Sequence, residues 1–123
     1  MYRLTVKSGF SSAHRLRGYK GKCEELHGHN WKVEAALYAE RLDGAGLAMD
    51  FHKFKNILKK VLQELDHKYL NDLSYFKKVN PTSENLAEYI FGKMTKQINK
   101  GACRLQEVTV WESDNSSATY SEQ

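Results

Sequence analysis

Residues 2–14 alternate between apolar and polar positions, the period of a half-buried β-strand. Without a bulge, Tyr2, Leu4, Val6, Phe10 and His14 share one face of that strand, and Arg3, Thr5 and Lys7 share the other. Residues 15–28 carry three glycines and several charges and read as a loop. Alternation resumes over 29–39, with Trp31, Val33, Ala35 and Leu37 on one side and Lys32 and Glu34 opposite, before a turn at Asp43, Gly44 and Gly46. The period then becomes helical from Asp50 to Leu65. Asp50 is placed as N-cap, and Phe51, Phe54, Leu58, Val61, Leu62 and Leu65 form an apolar stripe. A loop with Asn71, Asp72, Asn80 and Pro81 leads to a second helix. Thr82 caps it, Glu84 lies in its first turn, Leu86, Ile90, Met94 and Ile98 form its core face, and Gly101 ends it. Residues 104–112 form a third strand and Ala118 to Tyr120 a short fourth. Two strands, two helices and two strands predict one α+β domain with both helices on one face of an antiparallel sheet.

Composition narrows the class only modestly. The 123 residues are 41% hydrophobic and 28% charged, ordinary for one globular domain. No apolar run approaches the roughly 18 residues of a membrane span, and the N-terminus has no apolar stretch of a secretory signal. The expectation is a cytoplasmic protein without a membrane partner, with Cys23 and Cys103 as free thiols. The net charge of +4 suits an anionic ligand, but Lys53, Lys55, Lys59, Lys60, Lys93, Lys96 and Lys100 fall on polar positions of the two helices. A zinc-stabilised nucleic-acid module is the rival class. It lacks a second cysteine pair and a basic stripe interleaved with aromatics, so no nucleic-acid partner is expected.

The sharpest local signal is His27-Gly28-His29, with Cys23 and His14 upstream. Residues two apart on a strand point the same way. In an antiparallel hairpin of the first two strands, His14 ends one strand near His29 at the start of the other. All three histidines then face the covered side of the sheet. Three imidazoles with an open fourth position make the donor set of catalytic zinc. Ordinary strand and loop histidines, or a closed structural site with Cys23 as fourth ligand, are the alternatives.

Other residues invite chemistry. The basic loop around Cys23 favours its thiolate, hence a base or nucleophile. Asp66-His67 closes the first helix, either as a C-terminal cap or as a histidine oriented by a carboxylate. Glu112 shares parity with Val108 and Val110 and so follows an apolar face inward. There it meets either an internal salt bridge or the paired N–H donors of a pterin or guanine edge.

Six segments together resemble the 6-pyruvoyl-tetrahydropterin synthase family, which includes the 6-carboxy-tetrahydropterin synthases of the queuosine pathway. They are FSSAHRL at 10–16, CEELHGHN at 23–30, MDF at 49–51, LDHKYLN at 65–71, PTSENLA at 81–87 and VTVWE at 108–112. The resemblance implies zinc on His14, His27 and His29, Cys23 as proton-abstracting base, Asp66 and His67 as the rest of an acid–base relay, and Glu112 as pterin anchor. Thr82, Ser83 and Glu84 match the stretch beside the pterin ring. It also implies the tunnelling fold (T-fold), whose sheets close into a barrel across a homo-oligomer, trimer or hexamer, with sites at subunit interfaces. The three residues between Cys23 and His27 match the short bacterial carboxy-synthases. Glu24 stands three before His27, near the point where a dihydroneopterin-cleaving subfamily uses glutamate in place of that cysteine. The implied reaction converts dihydroneopterin triphosphate to 6-carboxy-tetrahydropterin with loss of triphosphate and acetaldehyde.

Overall fold

The computed structural model describes residues 1–19 and 25–122. Four strands form one antiparallel meander in the order β1-β2-β3-β4: β1 (Tyr2–His14), β2 (His27–Ala39), β3 (Cys103–Ser113) and β4 (Ser116–Ser121). Helices α1 (Phe51–Gln63) and α2 (Ser83–Ile98) lie between β2 and β3 in sequence. The alternation of β1 and β2 supplies the buried face: Val6, Phe10, Trp31, Val33, Ala35 and Leu37 point into the core. They meet Phe54, Leu58 and Leu62 of α1 and Leu86, Ile90, Met94 and Ile98 of α2. Trp31 and nearly all of these are fully covered, a large apolar burial for a short chain. β1 comes close enough to β2 that a Cβ on Gly9 would fall 2.7 Å from the Trp31 carbonyl oxygen.

Both predicted N-caps form. The Asp50 carboxylate accepts from His52 N at 2.7 Å, and Thr82 Oγ1 accepts from Asn85 N at 3.1 Å. Gly101 sits at φ +58° just past the α2 C-cap, Asn99.

Several expectations need correction. β2 starts at His27 rather than residue 29, because cross-strand pairing with His14 and Ala13 extends the ladder. Phe51 is 59% exposed and outside the core, lining an open hollow with Thr5, Val6 and Lys7 of β1. α1 ends at Gln63, although Leu65 remains buried. β4 is longer than three residues, because the turn after Ser113 pairs it with β3 from Ser116 onward. The third strand is also not simply alternating. Ala36 faces Glu107 while Leu37 faces Leu105, leaving Gln106 as the extra residue of a bulge. That bulge turns Leu105 and Val108 to the same buried side.

Cys103 is a free, buried thiol whose Sγ contacts the Ala48 carbonyl at 3.2 Å. Cys23 and Glu24 lie outside the described residues. Among the described residues, no helix is long and apolar enough to cross a membrane.

Candidate metal centre

His14 closes β1 and His27 opens β2 directly opposite it; His29 stands opposite Ser12. Direct pairing is thus with His27 rather than His29, yet strand parity brings all three imidazoles to one face. Each offers a nitrogen, and the three nitrogens lie within 4.8 Å of one another. The His14 and His29 ring centroids are 5.3 Å apart, those of His27 and His29 4.5 Å.

Hydrogen bonds fix the orientation of two of these rings. His14 Nδ1 donates to the Pro81 carbonyl and His27 Nδ1 to the Glu25 carbonyl, each at 2.7 Å. A carbonyl oxygen only accepts, so both rings carry their proton on Nδ1 and present a bare Nε2 lone pair. Those two Nε2 atoms face each other at 3.0 Å. His29 Nε2 is buried without any hydrogen-bond partner. Two lone pairs that face each other beside an orphaned ring nitrogen repel unless a cation sits among them, so the donor set fits a metal ion of the kind imidazole prefers.

The electrostatics agree with neutral ligands. Burial lowers the pKa of His14, which is 1% exposed, and the Pro81 bond opposes this. His29 is likewise lowered, first by burial, against the opposing pull of Glu112. The Glu112 carboxylate approaches from β3, 3.7 Å from His29 Nε2 and 3.8 Å from His14 Nε2. It therefore faces the cluster, as its strand parity predicts, and is only partly buried.

Asp66 and His67 do pair: Asp66 Oδ2 lies 3.0 Å from His67 Nδ1. The turn is clasped to β1, where Ser11 N donates to Asp66 Oδ1 at 2.9 Å and His67 N donates to the Ser11 carbonyl at 2.6 Å. His67 sits at φ +54°, a conformation unusual for a side chain larger than glycine. The Ser11 amide and the neighbouring histidine hold the Asp66 carboxyl below the usual carboxylate range. The His67 ring is 82% exposed, and no hydrogen bond or ion pair among the described residues joins it to the other three histidines.

Thr82, Ser83 and Glu84 open α2 immediately after Pro81, whose carbonyl holds His14, so this stretch borders the cluster through the backbone. Sequence reasoning missed the carbonyls of Pro81 and Glu25, which no residue type advertises. It also missed two side-chain clamps. Asn71 Oδ1 accepts from Arg15 N and Asn71 Nδ2 donates to Arg15 O, both at 2.9 Å. Asn80 does the same to Arg17, at 2.9 and 2.8 Å. Together they fix the chain leaving His14.

The 6-pyruvoyl tetrahydropterin synthase family model matches residues 3–123. The chain belongs to that family. It is thus an enzyme, a lyase of the pterin synthase family, and its α+β meander is the family's T-fold. The 6-carboxy-5,6,7,8-tetrahydropterin synthase of Synechocystis sp. is 34% identical over 125 residues, covering 98% of this chain and 93% of that protein. The dihydroneopterin monophosphate aldolase of Pyrococcus furiosus is also 34% identical, over 110 residues and 89% of each chain. The solved Caenorhabditis elegans 6-pyruvoyl tetrahydropterin synthase superposes with a TM-score of 0.88 at 30% identity, over 99% of this chain and 96% of that one. Two synthases and an aldolase thus stand at nearly equal distance from this chain.

Proposed function

We propose that the chain is a zinc-dependent 6-carboxy-tetrahydropterin synthase of the queuosine pathway, acting on dihydroneopterin triphosphate and releasing triphosphate and acetaldehyde. The observation that carries the metal part is the meeting of three imidazoles, two with Nε2 lone pairs imposed by backbone carbonyls and one with a buried Nε2 left without a partner. His14, His27 and His29 hold the zinc, which when bound supplies Lewis acidity to the side-chain hydroxyls of the substrate. Glu112 accepts the paired N–H donors of the pterin ring at the mouth of the cluster. Thr82, Ser83 and Glu84 flank the ring. Cys23, as thiolate, takes a proton from the pterin side chain, and His67, oriented by Asp66, returns one.

An exposed His67, separate from the cluster within one chain, fits an assembly in which neighbouring copies complete each site. β1 and β4 are the edge strands through which such a barrel closes. The enzyme is thus read as a cytoplasmic homo-oligomer, a trimer or a hexamer, without a nucleic-acid or membrane partner.

The carboxy-synthase branch rests on the short spacing from Cys23 to His27. Glu24 beside Cys23, with an aldolase among the relatives, supports side-chain cleavage of dihydroneopterin as the second reading. Anaerobic incubation of zinc-loaded protein with dihydroneopterin triphosphate, with products read by mass spectrometry, separates them. 6-Carboxy-tetrahydropterin with acetaldehyde supports the first reading. A pyruvoyl product, or turnover of dihydroneopterin but not its triphosphate, overturns it. Cys23→Ala should abolish turnover with zinc content unchanged, and loss of zinc would make Cys23 a ligand instead.

A further inference from the structure

Away from the histidines, the strongest unassigned feature is a groove of about 730 Å³ between α1 and α2. α1 contains four lysines and no acidic residue. Lys53 and Lys60 are seven apart and therefore share a face. On α2, Lys93, Lys96 and Lys100 continue one face past the helix end. The helices run antiparallel: Tyr89 OH reaches Glu64 Oε2 at one end, while Lys53 and Lys100 line one hollow at the other. The two lysine stripes thus face each other across the groove.

None of these five exposed lysines has a carboxylate within 4.0 Å among the described residues, whereas Lys7 and Lys32 pair with Glu34 and Asp114. The two acids at the groove are already engaged, Asp50 by the His52 amide and Glu64 by the Tyr89 hydroxyl. Like charges opposed at close range raise the local potential, and a polyanion lowers it. The lining narrows the ligand further. Lysines are compact charges without the planar fork that reads base edges. The groove lining has no arginine and, of aromatic rings, only that of His52, while the nearby Tyr89 ring is covered by Lys93 Nζ at 5.6 Å from its centroid. From Lys53 to Glu64 the groove runs roughly 16 Å along the helix axis, at about 1.5 Å per residue.

We infer that this groove is a binding site for linear inorganic polyphosphate. The inference does not depend on the pterin reaction. It is tested on the zinc-loaded full chain by calorimetric titration with short-chain polyphosphate, at low salt and again at moderate salt. Lys60→Gln/Lys93→Gln/Lys96→Gln should weaken binding at least roughly tenfold and flatten its salt dependence, because fewer counterions are displaced. The kcat for the pterin substrate should stay unchanged. The control Lys55→Gln/Lys59→Gln/Lys77→Gln removes equal charge outside the groove and at moderate salt should leave affinity within about twofold, because screening there weakens charges that do not touch the ligand. Equal losses in both variants, or no loss in the groove variant, overturn the inference. So does tighter binding, per phosphate, of duplex RNA than of polyphosphate.

Discussion

Replacing Asn71 tests how the chain leaving His14 is held. Asn71 is 7% exposed, and its amide bonds both the N–H and the carbonyl of Arg15, each at 2.9 Å. Asn71→Ala removes both bonds and leaves two backbone groups to find water. A net hydrogen bond contributes about 1 kcal/mol, and a stranded buried polar group costs about 1–3 kcal/mol. Arg15 itself is exposed, so water reaches one side and the lower end applies to each group. The expected loss is about 2–3 kcal/mol, or roughly 8–12 °C in Tm for a domain of this size. Asn71→Asp keeps the acceptor for Arg15 N–H but turns a second oxygen on the Arg15 carbonyl, so at pH 7 it should be no better than alanine. The assay is urea unfolding of metal-free protein at one fixed protomer concentration, because assembly shifts apparent stability. Zinc affinity should fall alongside, since Arg15 follows His14 directly. An Asn71→Ala variant within about 0.5 kcal/mol of the parent, or an aspartate variant as stable as the parent, would refute the clamp.

Chelation should strip the metal yet leave the protein folded, because the core between sheet and helices is complete without the histidines. Adding zinc back at about 100 times its Kd should stabilise by about 2.7 kcal/mol, and unfolding on chelation would mark the site as structural instead. In metal-free protein, His14 and His29 have pKa values lowered from 6.5, so below that pH the unfolded chain takes up protons first. Stability should therefore fall as pH drops from 7.5 to 5.5, read as the urea midpoint, and a flat or rising midpoint would contradict neutral burial. Glu112→Gln should raise the KM for the pterin substrate at least roughly tenfold with zinc content unchanged, because an amide cannot accept both N–H donors. Zinc loss in that variant would show that the carboxylate 3.7 Å from His29 is a ligand. Tyr89, pushed up to about 12 by burial and then by Glu64, keeps its proton in the fold after the unfolded chain has lost it. Stability should thus decline as pH rises from 10 toward 12, and Tyr89→Phe should remove that part of the decline.

Much of this was legible in the sequence because it rests on local period. Alternation placed Val6, Phe10, Trp31 and Val33 inward and carried His14, His27 and His29 to the same side, since a strand repeats every two residues. The caps Asp50 and Thr82 and the core faces of both helices follow from equally local chemistry. Other features depend on what lies across the fold. Only the ladder sets His27 opposite His14, and only the bulge at Gln106 lets Leu105 share a side with Val108. The carbonyls of Pro81 and Glu25 become histidine partners because the chain returns there, and a backbone oxygen leaves no mark on residue type. The same holds for the turn that clasps Ser11 and bends His67 into positive φ, and for the two asparagines that take the place of strand neighbours for Arg15 and Arg17. Period is written into the chain, whereas register and the partners of backbone groups are fixed only when distant segments meet.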